Sequence, residues 1–346
     1  MKKFFGLAAS ALVLASAIVP VATTVSAQED ENFSVVMITD VGGVDDRSFN
    51  QSAWEGLQAF GEEQGIERGV DGYEYLQSDS DSDFIPNLNT ALQANFDLIF
   101  GIGFKLEEAM AEVAAQNPDR HFAIVDSVID APNVASLTFL DNEAAFLAGV
   151  AAAHTTQTNH VGFIGGQEGF VIDRFEAGFV EGVKAVNPDI EITVEYAGSF
   201  GDASRGRQIA AAMYANGADI IYHASGDTGN GVFSEARDLV TNDPSLNIWV
   251  IGVDRDQVEE GQIEIDGEVR NLTLTSTLKN VGESVKLFSE KTMAGNFEAG
   301  TTIYGLADGG VGLTEGELSE EALAAVAEYT QLIIDGEIEV PEAPVE

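Results

Sequence analysis

The densest run of chemically capable residues in this chain is Ile38-Thr39-Asp40-Val41-Gly42-Gly43-Val44-Asp45-Asp46-Arg47-Ser48-Phe49-Asn50-Gln51. Its paired glycines permit a tight turn, and Asp45, Asp46 or Ser48 can cap the start of a helix. Asp40 and Asn50 would then offer polar groups beside Phe49, which supplies a flat apolar face. Clustered Asp40, Asp45 and Asp46 could also hold a divalent ion, as in nucleoside hydrolases, so hydrolysis is one reading of the run. Against it, no glutamate is placed to close a calcium loop, and the sequence offers no convincing general acid. His121, His154, His160 and His223 are scattered, with no metal-binding pair at helical spacing. Gly101-Ile102-Gly103, Gly165-Gly166 and Gly226-Asp227-Thr228-Gly229 follow strand patterns, as phosphate-cradling turns do. No Walker lysine accompanies them, the third glycine of a dinucleotide fingerprint is missing, and no G-x-S-x-G elbow occurs. Close approach of backbone to a neutral ligand fits these glycines better. The expectation is a binding protein with no catalytic residue, no metal and no cofactor.

Asp126, Phe200, Gly226, Asp254 and Lys279 form a second set, each at the end of a strand pattern. A strand-end aspartate taken alone is as well explained as a helix cap. Together with Asp40, Phe49 and Asn50, the set brings two aromatic rings and several carboxylates to one cleft. That combination suits a ligand with a flat heterocycle and vicinal hydroxyls.

These groups need a scaffold, and the chain alternates in a way that supplies one. Short Val-, Ile- and Phe-rich runs at 33–39, 97–101, 122–126, 161–164, 220–223, 248–252 and 272–276 read as strands. Amphipathic stretches at 51–64, 106–116, 143–154, 172–186, 205–216 and 281–294 read as helices. Buried strands alternating with helices imply an α/β protein with parallel sheets covered on both faces. Ala94-Asn95-Phe96-Asp97-Leu98-Ile99-Phe100 is echoed by Ala215-Asn216-Gly217-Ala218-Asp219-Ile220-Ile221-Tyr222, and the next strand in each half ends in aspartate, Asp126 and Asp254. Two matched lobes follow, with a ligand outside the carboxyl ends of both sets of strands.

Lys2 and Lys3, an apolar stretch from Phe4 to Val21 and the small-residue site Val25-Ser26-Ala27 have the layout of a secretory signal peptide spanning 1–27. Cleavage before Gln28 would leave 319 of the 346 residues, enough for two cores. No other stretch reaches the roughly 20 apolar residues of a membrane span, so a soluble protein outside the cytoplasm is expected. There is no cysteine, hence no disulfide and no cysteine-linked lipid anchor. A protein working beside a membrane without an anchor must be confined in a space such as a periplasm. The net charge of −42 is spread along the chain, which disfavours nucleic acid and anionic lipid as partners and suits a high-salt setting.

The first motif resembles the opening motif of the basic membrane protein family, whose members include purine nucleoside receptors of ABC transporters. The resemblance continues in order through Val161-Gly162-Phe163-Ile164-Gly165-Gly166, Gly198-Ser199-Phe200, Thr228-Gly229-Asn230-Gly231-Val232-Phe233, Ile251-Gly252-Val253-Asp254-Arg255-Asp256-Gln257 and Thr275-Ser276-Thr277-Leu278-Lys279. It implies a type I periplasmic binding fold, two Rossmann-like lobes joined by three crossovers, with an ABC permease as partner. Lobe 1 would span 28–140 and about 255–302, lobe 2 about 141–254 and 303–340, and 341–346 would be a flexible tail. By the same resemblance Phe49 and Phe200 would sandwich a purine base and Asp126 would bond its edge. Asp254 and Lys279 would hold the ribose, while Asp40, Asn50 and Gly226 complete the wall. Many members carry a lipid-anchoring cysteine where this chain has Gln28. A same-fold receptor for a nucleobase, sugar or signal is the alternative.

Overall fold

The computed structural model describes Met1 and residues 33–344; the expected signal peptide and the last two residues lie outside that range. The strands are β1 (Val35–Ile38), β2 (Tyr73–Leu76), β3 (Leu98–Ile102), β4 (His121–Val125), β5 (Val134–Phe139), β6 (His160–Gly165), β7 (Glu191–Tyr196), β8 (Ile220–Ala224), β9 (Trp249–Gly252), β10 (Gln262–Ile265), β11 (Glu268–Asn271), β12 (Thr273–Lys279), β13 (Gly300–Tyr304) and β14 (Val311–Leu313). The helices are α1 (Phe49–Gln64), α2 (Phe84–Gln93), α3 (Glu107–Gln116), α4 (Asp141–Thr155), α5 (Phe170–Val186), α6 (Ala203–Ala215), α7 (Thr228–Asn242), α8 (Val281–Met293) and α9 (Glu320–Ile334).

Two six-stranded sheets organise these elements, in the orders β2-β1-β3-β4-β5-β13 and β7-β6-β8-β9-β12-β14. The first is parallel throughout, and in the second only β14 runs antiparallel to its neighbour β12. The two orders match position for position, so the echo between residues 94–100 and 215–222 marks β3 and β8, equivalent strands in the two sheets. Each sheet is covered on both faces. Val35 and Met37 of β1 join a core with α1 and α8, while Val36 and Ile38 join another with α2 and α3. That is the two-residue period of a strand buried on both sides. In the second lobe α4 and α5 cover one face and α6 and α7 the other.

Helix pairs sit very close where glycine removes a side chain. A Cβ on Gly182 of α5 would lie 2.0 Å from the carbonyl oxygen of Phe146 in α4, and one on Gly56 of α1 would lie 2.0 Å from that of Gly282 in α8. α4 is buried along most of its length, since α5 and α9 also cover it.

The chain passes between the sheets three times: at Leu140, at Asn280 and between Tyr304 and Val311. The second passage corrects the expected boundary near residue 254. β9 is followed in its own sheet by β12, and the β10–β11 hairpin precedes β12, so residues 255–279 stay with the second lobe. The start of the expected tail is held: Asn142 Nδ2 donates to the Val340 carbonyl at 2.8 Å, and Arg174 pairs with Glu342 at 2.6 Å. Among the described residues no helix is long and apolar enough to cross a membrane.

Candidate ligand-binding site

The carboxyl ends of β1, β3, β4, β8, β9 and β12, the start of α5 and the segment after β7 meet around one cavity. Asp40, Phe49, Asn50, Asp126, Phe200, Gly226, Asp254 and Lys279 all line it. The first four come from the first lobe and the other four from the second.

Asp46 builds the near wall. Its carboxylate accepts from the backbone N–H groups of Ser48, Asn50 and Gln51 at 2.9, 2.8 and 3.0 Å, capping the start of α1. Asn50 is bound up in the protein: its Nδ2 donates to Asp40 Oδ1 at 2.8 Å and to Asp46 Oδ2 at 2.9 Å, and its Oδ1 accepts from the Asp40 N–H at 3.2 Å. Asn50 therefore positions Asp40. Asp45 is exposed and takes no part, so the three-aspartate cluster entertained from the sequence does not form. Among the described residues no group of His, Cys, Asp or Glu is placed to hold a metal ion.

Lys279 supplies the cation of the far wall. It is 2 % exposed, with Nζ 2.6 Å from Asp126 Oδ2 and 3.1 Å from Asp141 Oδ1. The rings of Phe49, Phe139 and Phe175 surround it, their centroids 5.2–5.6 Å away. Burial alone would lower its pKa, but Asp126, Asp141 and Asp254 together hold it above the usual lysine value. Burial also raises the carboxyls: Asp40 and Asp254 are each pushed up to about 6, and Asp141 is raised despite its contact with Lys279. Asp126 and Asp254 occupy equivalent positions after β4 and β9, and both adopt left-handed backbone, φ +65° and +68°. Aspartate tolerates that conformation better than bulky residues do, and it turns both carboxylates into the cavity.

Phe200 lies flat against glycine backbone. A Cβ on Gly166 would come 2.3 Å from its ring, and Gly226, at φ +57°, would place one 3.2 Å from its carbonyl oxygen. Gly166 thus serves an aromatic wall. Gly229, also assigned to a ligand approach from the sequence, instead backs α7 onto His223, where a Cβ would meet the imidazole at 2.1 Å.

Sequence reasoning overlooked several contributors. Phe104 crosses from the first lobe to set its ring edge-on to Phe200 and Phe170, with centroids 6.1 and 5.8 Å apart. Ile172 and Phe175 add apolar lining from α5. Phe104 had a signal, an aromatic directly after the strand-end Gly101-Ile102-Gly103. So had Asp141, a strand-end aspartate like Asp126 and Asp254. Ile172 and Phe175 look like ordinary core positions of an amphipathic helix.

Two α/β lobes of matched topology, hinged by three passages and enclosing a polar-aromatic cavity, define a type I periplasmic binding protein. Residues 33–343 match the family described as ABC transporter substrate-binding protein PnrA-like, and the chain belongs to that family. It is 52% identical to the CD4+ T-cell-stimulating antigen of Listeria innocua, with 99% of each chain covered. It is 48% identical to the ABC transporter nucleoside-binding protein BmpA of Lactococcus lactis, covering 97% of this chain and 98% of that one. Among solved structures, an ABC transporter solute-binding protein from Aeropyrum pernix K1 superimposes with a TM-score of 0.79 at 26% identity, covering 91% of this chain and 94% of that one. A sugar-binding protein of Bacillus halodurans, at 18% identity and a TM-score of 0.60 with 86% and 99% covered, shares the fold. The protein is thus a solute-binding, non-enzymatic component of an ABC transporter, acting outside the cytoplasm.

Proposed function

We propose that the cleft binds a purine nucleoside and delivers it to an ABC permease. The observation that carries the proposal is the convergence of Phe49, Phe200, Asp126, Asp254 and Lys279 on one cavity between the lobes. The name of the Lactococcus lactis relative adds weight, since that protein is called nucleoside-binding. In this reading Phe49 and Phe200 stack on the base, at about 1–3 kcal/mol per stacked base. Asp126, held by Lys279, accepts a hydrogen bond from the edge of the base. Asp254 has one oxygen engaged by the Ser48 hydroxyl and offers the other to the ribose hydroxyls, beside the Lys279 ammonium. A ligand without those hydroxyls leaves buried charge unpaired and binds much worse.

A thermal-shift panel tests this. Guanosine, adenosine and inosine should raise the melting temperature with saturation, while free ribose and uridine shift it little. A larger shift with a sugar or a free base would remove the nucleoside assignment and leave the fold and family in place.

A further inference from the structure

Arg47, Ser48, Asn230 and Gln257 belong to the motifs that carry the family resemblance, yet none of them lines the cavity. They meet one another where the lobes touch. The turn Asp46-Arg47-Ser48 of the first lobe points toward the second. Arg47 is left-handed, at φ +58°, an uncommon backbone for a residue with a side chain. Asn230 Nδ2 donates to the Asp46 carbonyl at 3.3 Å, and Gln257 Nε2 donates to the Arg47 carbonyl at 2.9 Å. The Ser48 hydroxyl donates to Asp254.

Both sides of this junction are fixed before they meet. On the first lobe the Asp46 carboxylate holds the turn through three backbone N–H groups. On the second, Gln257 is 2 % exposed. Its Oε1 accepts from the Val253 N–H at 2.9 Å and faces His223 Nε2 at 3.1 Å, its own N–H donates to Ser276 Oγ at 3.1 Å, and its carbonyl accepts from Thr273 Oγ1 at 3.0 Å. Only the Nε2 group reaches across. Burying His223 keeps its ring neutral around neutral pH, so it can present an N–H to Gln257. Phe49 follows Ser48 directly, so whatever grips the turn also sets the ring over the cleft.

We propose that Gln257 and Asn230 are positioning residues for the ligand: they receive the Asp46–Ser48 turn when the lobes close, and so set how long the closed form lasts. This rests on the reading of the interlobe cavity as the ligand site, not on which ligand occupies it. Two ion pairs, Arg47–Glu260 and Arg255–Glu55, also cross the junction, but Arg47 is 54 % exposed and Glu55 48 %. Exposed pairs contribute little and are screened by salt. The two amide-to-carbonyl bonds carry no net charge and keep their effect in high salt.

The absence of cysteine allows one introduced cysteine on an exposed site of each lobe to carry a spin label. Pulsed electron paramagnetic resonance then gives the interlobe distance distribution, with and without guanosine, at low and high salt. Gln257→Glu, measured at alkaline pH so that burial does not leave its carboxyl protonated, keeps the acceptor to Val253 and His223 but removes the donor to Arg47; Asn230→Ala removes the other donor from a half-buried helix position. Each should raise the open-to-closed ratio about three- to tenfold, the worth of one net hydrogen bond, and should raise the guanosine dissociation rate in proportion. The shift should persist in high salt. If Gln257→Glu does not fold, Asn230→Ala gives the same reading. Wild-type distances and dissociation rates in folded variants would overturn the proposal. Variants that open in the free protein while guanosine leaves wild type unmoved would support it and reject the nucleoside assignment instead.

Discussion

Lys279 touches Asp126 and Asp141 within a buried pocket that also holds Asp254, so its charge is what lets three carboxyls sit together there. Removing one partner of a buried ion pair costs about 3–5 kcal/mol, because the remaining charge is stranded. Lys279→Met should therefore lower the unfolding free energy obtained from denaturant titration by an amount in that range, and the loss should shrink as acid neutralises the carboxyls. A loss that does not change with pH would mean that packing, not charge, is responsible. The wild type has a pH signature of its own. Asp40 and Asp254 are raised from 3.8 to about 6 by burial, so between those values the folded state holds protons that the unfolded chain has released. Their contribution to stability therefore grows as pH falls through about 6 and is complete near 3.8. His223, lowered by burial from 6.5 to about 4, opposes them, but it is one group against two, with Asp141 and Asp46 raised as well. Melting temperature should rise as pH falls from neutrality through about 6, while nucleoside affinity falls as Asp254 takes up a proton and stops accepting from hydroxyls. Parallel rise or parallel fall of the two quantities would contradict these assignments.

At the scale of the elements, glycine decides how closely the helices approach. Gly182→Ala would drive a methyl into the Phe146 carbonyl at 2.0 Å, forcing α4 and α5 apart. Overpacking of this kind costs about 1–3 kcal/mol, and a melting temperature unchanged from wild type would show that α4 has room to shift. The strands most easily read from the sequence were β1, β3, β4, β6, β8, β9 and β12, and all of these but β6 supply strand ends around the site. They sit inside the sheets, buried on both faces, and so read as unbroken apolar runs. β7 and β13 escaped because they are edge strands whose residues are half-buried or exposed. β5 is buried but carries Ser136 and Thr138, which dilute the apolar run. α7 was hidden by Gly229 and Gly231, poor helix formers that are needed here: a Cβ on Gly231 would lie 1.9 Å from the Ala203 carbonyl oxygen of α6. Among the residues that line the cavity, Asp40, Asp126, Gly226, Asp254 and Lys279 could be named from the sequence because the ends of those inner strands are marked, while Phe49 and Asn50 came from the glycine-aspartate run that opens α1, and Phe200 from its own short motif. Residues that reach the cavity from helix interiors, such as Ile172 and Phe175, carry no such mark, and Asn50's engagement by two aspartates depends on a turn geometry that spacing alone does not define.

For the whole molecule the governing quantities are a net charge of −42 and the balance between open and closed lobes. Self-repulsion of that size destabilises a compact state, and salt shortens its reach from about 10 Å at 0.1 M to about 3 Å at 1 M. The melting temperature should climb with added salt over that range; a flat response would show that the dispersed carboxylates are already well separated in water. Closure brings a steadier contribution from neutral hydrogen bonds and from burial of aromatic rings on the ligand, as hinge closure around a solute requires. The most direct test of the central claim is calorimetric titration of the protein, freed of bound ligand by unfolding and refolding, with guanosine, uridine and ribose, repeated on Phe200→Ala. The account predicts one-to-one binding of guanosine with ribose silent, and a loss in Phe200→Ala of roughly 5- to 150-fold, the equivalent of about 1–3 kcal/mol of stacking. Ribose binding as tightly as guanosine, or Phe200→Ala leaving guanosine affinity unchanged, would contradict a cleft built around a flat base.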